Sequence, residues 1–219
     1  HEYDNTAKQI ILCGIAHGMM ILHSRRVIHM NLKPGNVLLD SEFLPYISDF
    51  GLLEFMDPEN TKCQSILDGT TTYIAPEIFQ GNNYSHKADV YSFGILMYEI
   101  ITGEEAFSDI IHNKQTTIES FSSKIIEGMR PTFTKPIKPG LKKLIEQCWS
   151  NDPNERPTFE EIFSKLSQPF DDDDISKARA KAQSGASDFG EEDINSHPYC
   201  LNGVDIDSIS SYLKDIITT

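Results

Sequence analysis

Apolar side chains recur at helical spacing near the start of the chain. Ile11, Ile15, Met19 and Leu22 fall on one face, and Ile10 and Leu12 widen it. That pattern predicts a helix over residues 7–24 with this face turned inward. The period then changes. Val37-Leu38-Leu39 and Tyr46-Ile47-Ser48 are two short runs around a turn at 41–45, the pattern of a pair of short strands. Residues 52–72 are mostly polar without a clear period and read as a loop that could move. From Asp89 to Thr102 the chain is apolar nearly all round and is stopped by Gly103, which predicts a buried helix. Glu99 is a charge inside that run. Further helices are expected at 118–127, ending at Gly128, at 141–149 and at 159–166. The last has Thr158 as N-cap and Glu161 three residues later, a capping box.

After Pro169 the composition shifts. Residues 170–219 carry 11 acidic and 4 basic side chains, half of the net charge of −14 in under a quarter of the 219 residues. Up to about Gly203 this reads as an acidic flexible linker. Val204, Ile206, Ile209, Tyr212, Leu213, Ile216 and Ile217 then form a stripe near helical spacing, predicting a short amphipathic helix over 204–219. It could dock on the preceding domain, begin another, or bind a partner; the first two are the plainer readings.

Composition narrows the function classes. With 39% hydrophobic and 24% charged residues the chain is an ordinary soluble globular type. Its negative charge argues against nucleic acid, whose phosphates attract basic surfaces, and against anionic membranes; solubility is the plain reading of it. No apolar run approaches the roughly 18 residues needed to span a bilayer. Cys13, Cys63, Cys148 and Cys200 are far apart without a C-x-x-C pair, so no zinc site or disulfide scaffold is indicated. Reduced thiols and an intracellular, cytoplasmic location are the expectation. His17 and His23 read as surface or cap residues, since no Cys or carboxylate stands at metal spacing. There is no internal repeat, and a start at His1 without a signal-peptide pattern reads as a piece of a longer chain.

Five motifs carry the chemistry. Residues 28–40 read I-H-M-N-L-K-P-G-N-V-L-L-D, and 47–51 read I-S-D-F-G. G-T-T-T-Y-I-A-P-E follows at 69–77 and D-V-Y-S-F-G at 89–94, and Cys148-Trp149, Asp152-Pro153 and Arg156-Pro157 close the series. In this order they resemble the catalytic loop, D-F-G loop, A-P-E motif, central helix and closing block of a protein kinase. The closing block resembles that of tyrosine kinases and tyrosine-kinase-like Ser/Thr kinases, and Lys33-Pro34 with Thr70 resembles the Ser/Thr class. The resemblance implies a mainly α fold: the helical C-terminal lobe of a kinase-like α+β fold, with a few short strands at the active-site loops. That lobe is expected over 1–168, followed by the linker at 169–203 and the helix at 204–219.

The resemblance also implies roles. Asn31 stands where the family has its catalytic Asp, and Lys33 would neutralise charge on the transferred phosphoryl group. Asn36 and Asp49 would hold Mg²⁺ and, through it, the ATP phosphates. Leu38 would lie beneath the adenine, and Thr70 would contact the catalytic position and Lys33. As supports, Glu77 would pair with Arg156, His29 would stack with Phe50, and Asp89 would hold the catalytic loop from below. A protein substrate or signalling partner follows; oligomeric state does not.

Three departures bear on activity. An amide at Asn31 is no useful base, although it can hold a hydroxyl by hydrogen bond. Met30 replaces the Arg that meets a phosphorylated activation loop in many kinases, so switching through Thr70, Thr71 or Thr72 lacks that partner. Upstream of His29 there is no G-x-G-x-x-G loop and no V-A-I-K-like strand, and Lys8 is the only lysine. The readings left open are an impaired Ser/Thr kinase and a pseudokinase scaffold that binds nucleotide weakly or not at all. A weaker third is an active kinase that tolerates Asn31.

Overall fold

The computed structural model describes residues 5–41, 43–49, 71–82, 84–112 and 116–167. The expectations for Phe50, Thr70, the loop up to residue 70, the linker and the C-terminal helix lie outside them.

Among the described residues the protein is mostly helical. α1 (Asn5–Ser24) leads into a two-stranded antiparallel hairpin, β1 (Val37–Leu39) and β2 (Pro45–Ile47), in register Val37↔Ile47, Leu38↔Tyr46 and Leu39↔Pro45. Then come the short α2 (Pro76–Phe79), the long α3 (His86–Thr102), the short α4 (Ser108–Ile111), α5 (Ile118–Ile126), α6 (Pro139–Cys148) and α7 (Phe159–Leu166). The mainly α expectation is met.

The core is built around α3. Val90, Tyr91, Phe93, Ile95, Leu96 and Met97 are all buried, as its all-round apolar sequence requires. α3 packs on α6, while α1 packs along α7 and against β2. Gly94 makes the first contact possible: a Cβ there would lie 3.0 Å from Cys148 Cβ and 3.2 Å from the Trp149 nitrogen. α1 turns Ile11, Ile15 and Met19 inward as its spacing predicts. Its Gln9 side chain donates to the Leu166 carbonyl, tying α1 to the end of α7.

Boundaries follow local chemistry. α7 begins and ends at the expected residues, with the Thr158–Glu161 capping box formed in both directions. α3 begins three residues before Asp89, because the Ser85 side chain accepts the Lys87 amide and caps the helix there. It ends at Gly103, whose φ of 70° is the left-handed conformation glycine adopts without steric cost. β2 starts at Pro45, one residue earlier than its apolar run suggests.

Candidate active site

The site is a loop held from below. His29 N and Met30 N each donate to the Asp89 carboxylate at 2.8 Å, to Oδ2 and Oδ1 respectively. Asp89 is buried on the first turn of α3, so the strongest local acceptor of the central helix fixes the backbone of residues 29–30. Met30 takes a left-handed conformation with φ of 67°. A non-glycine residue there is strained and persists only where its surroundings over-determine it. The two bonds to Asp89 do that.

A third donor completes Asp89. His23 Nε2, in the last turn of α1, lies 2.8 Å from Asp89 Oδ2. The surface-or-cap reading of His23 is therefore corrected: its side chain is only 14% exposed and serves as a second anchor under the loop. Nothing local in the sequence signals this, because the partners are 66 residues apart.

Beyond Met30 the loop alternates. Leu32 is buried in the core, while Asn31 and Lys33 on either side of it are half-buried. Pro34–Asn36 forms one 3-10 turn, with the Asn36 amide donating to the Lys33 carbonyl at 3.0 Å. Asn36 is buried, and its Nδ2 donates to the Asn31 carbonyl at 2.7 Å. The Asn36 side-chain oxygen remains as an acceptor. On the far strand Ser48 N donates to the Asn36 carbonyl at 3.0 Å, which sets Asp49 one residue beyond that bond. Asp49 is exposed and also left-handed, with φ of 57°. Asn31, Asn36 and Asp49 are thus brought to one end of the hairpin by backbone pairing.

The hairpin sorts its side chains by alternation. Val37, Leu39 and Ile47 pack toward the core, while the cross-strand pair Leu38 and Tyr46 points away, at 58% and 59% exposure. They are the most exposed large apolar side chains among the described residues.

What could hold a metal here is a set of hard oxygens, the Asn36 amide oxygen and the Asp49 carboxylate. No group of three or more His, Cys, Asp or Glu capable of holding a metal occurs among the described residues. Two oxygen-bearing side chains beside an open face nevertheless fit Mg²⁺, which takes one or two protein ligands and fills its shell with waters and phosphate. The amide of Asn31 can orient a hydroxyl but has no lone pair that takes a proton near neutral pH. His29 is not a substitute. Burial holds its imidazole below the ordinary histidine range, against the opposing pull of Asp89, and it is fully buried.

Two supports complete the lower half. Arg156 and Glu77 form a buried bidentate pair, with Nη1–Oε1 at 2.6 Å and Nη2–Oε2 at 2.7 Å. Arg156 also donates to the Ser150 and Lys87 carbonyls, each at 2.9 Å. The Glu99 carboxylate inside α3 receives the Tyr73 hydroxyl at 2.6 Å and the Ala106 amide at 2.9 Å. Burial raises its pKa and those two donors counter it. Its place in an apolar helix is explained by these partners, which the sequence alone does not display.

The sequence pattern of the protein kinase domain family matches residues 2–166. A relative described as a probable serine/threonine-protein kinase of Dictyostelium discoideum is 39% identical over 170 residues, 77% of this chain and 12% of its own length. A serine/threonine-protein kinase of Arabidopsis thaliana is 33% identical over 158 residues, 72% of this chain and 26% of its own length. A dual specificity protein kinase of Dictyostelium discoideum is 38% identical over 154 residues, 70% of this chain and 20% of its own length. The chain therefore spans about a quarter or less of these three relatives. No helix among the described residues is long and apolar enough to cross a membrane. The family match covers three quarters of the chain and includes the anchored loop just described: the chain belongs to the protein kinase family.

Proposed function

We propose that residues 1–168 form the C-terminal lobe of a Ser/Thr protein kinase of the tyrosine-kinase-like type, impaired in this copy. The parent reaction is phosphoryl transfer from ATP·Mg²⁺ to a protein hydroxyl. Asn36 and Asp49 would hold a Mg²⁺ ion, which would offset the charge of the phosphates. Lys33 stands beside the transferred group and offsets developing negative charge. Leu38 forms the apolar floor for the adenine, in keeping with its outward position on β1. Asn31 orients the substrate hydroxyl without accepting its proton.

The observation that supports this reading is the contrast at one loop: among the described residues Asp89 and Asn36 hold the backbone of residues 29–31, while an amide stands at position 31. Because phosphoryl transfer is largely positioning and electrostatics, loss of the base leaves a slow residual rate. The partner is a protein substrate, not nucleic acid or membrane, and the setting is intracellular and cytoplasmic.

The second reading is a pseudokinase scaffold, favoured specifically by Asn31. Nucleotide-induced thermal stabilisation of the full-length protein separates the two. Stabilisation by ATP that requires Mg²⁺ and disappears in Asp49→Ala supports the metal site. No stabilisation in the unaltered protein would leave the scaffold reading standing.

A further inference from the structure

A cleft of about 390 Å³ lies between the end of α1, the start of α3 and the turn into α7. Met20, His23, His86, Val90, Pro157 and Phe159 are among its lining residues. Two imidazoles meet there: the rings of His23 and His86 lie edge to face with centroids 4.4 Å apart. His23 is committed to Asp89, which in turn holds the His29 and Met30 amides. His86 Nε2 is buried and finds no hydrogen-bond partner among the described residues.

We propose that the His23–His86 pair is a pH-responsive catch on the catalytic loop. The two rings occupy opposite electrostatic positions. His23 is in the last turn of α1, where the helix carbonyls and the Asp89 carboxylate favour a cation. His86 is the first residue of α3, where the helix amides disfavour one. His86 packs as an uncharged ring against His23.

Acid places a cation on His86, against the His23 ring at its edge and against the helix dipole. Moving the rings apart relieves that repulsion and draws His23 off Asp89. The loop then loses one of the three donors that fix its anchor. The charged and titratable groups facing His86 are His23 from α1, Lys87 and Asp89 from α3, and Glu160 at the start of α7, with Tyr84 near Asp89. Lys87 is taken up by the Arg156 carbonyl. Burial and His23 together hold the His86 imidazole below its ordinary range, with Asp89 opposing, in keeping with an uncharged ring.

The test follows the anchored amides directly on the full chain. Hydrogen exchange at His29 N and Met30 N is measured from pH 7.5 to 5, corrected for intrinsic exchange, alongside NMR titration of the His86 ring. The expected result is that protection of both amides falls with the midpoint of His86, by up to about tenfold per pH unit. In His86→Phe, which keeps a ring but cannot titrate, the part of that dependence that follows the His86 midpoint is lost. Protection that is independent of pH, or that falls equally in His86→Phe, overturns the proposal. Should His86→Phe not fold, His86→Gln carries the same comparison. A His86 midpoint that differs from that of the amides overturns it without any variant. Neither readout depends on nucleotide binding or phosphoryl transfer, so its failure is separable from that of the kinase reading.

Discussion

The catalytic loop has two sides that differ in kind. Beneath it, Asp89, Glu77 and Arg156 are buried and His23 is partly buried, each hydrogen-bonded to another of the group or to the loop backbone. Above it, Leu38, Tyr46 and Asp49 are exposed, and the base position holds an amide. The lower side is what keeps the chain folded, and any loss there leaves a desolvated charge. The upper side contributes little to folding and is free to change without collapse of the fold. Substitution of a catalytic Asp by Asn is therefore compatible with a fully formed loop, and an intact fold is no measure of activity.

The contrast predicts unequal costs. The largest is expected at Glu77→Ala, which strands Arg156 in the core; breaking a buried pair costs roughly 3–5 kcal/mol, read as a large drop in the denaturation midpoint. A loss under about 1 kcal/mol would show that the pair is structurally idle. Asp89→Ala removes the acceptor for two amides and His23. Hydrogen bonds to a charged group contribute about 1.5–3 kcal/mol each, so a loss of about 3 kcal/mol, together with faster exchange at His29 N and Met30 N, is expected.

pH acts on the same side. Burial lowers the folded-state pKa of His29 and His86 below the unfolded value. The unfolded chain then binds more protons in acid. Stability is complete above the ordinary histidine value of about 6.5 and declines as pH falls below it. A denaturant midpoint that stays constant from pH 7 to 5.5 would contradict this. On the upper side, Leu38→Ala is expected to change stability by less than about 0.5 kcal/mol while weakening ATP binding, measured by calorimetry on the full-length protein. A large stability loss would place Leu38 in the supporting half.

What was legible in the sequence follows the range of the interactions. α7 is fixed by neighbours in the chain, Pro157 and Thr158 before it and Glu161 inside it, so its limits are read directly. α3 is recognisable by its apolar run, but its start depends on the Ser85 cap, which stands before the run begins. The Glu77–Arg156 pair and the Asp89 anchor were expected from the motif resemblance alone, since their partners are 79 and 60 residues apart. The partners of His23, read as a surface or cap residue, and of Glu99, noted as a charge inside an apolar run, were hidden for the same reason: the fold brings in Asp89 and Tyr73 from elsewhere in the chain. The left-handed backbone at Met30 leaves no mark in sequence, because methionine does not favour that conformation, whereas Asp49 is of a residue type that tolerates it.

The central claim is that the described supports beneath the loop are formed and that the amide at Asn31 is what limits catalysis. It is tested by ATP-dependent phosphorylation of a protein substrate by the full-length protein, unaltered and as Asn31→Asp. A gain of about a hundredfold or more is predicted, the scale of a positioned general base. Equal and robust rates in the two proteins would contradict it.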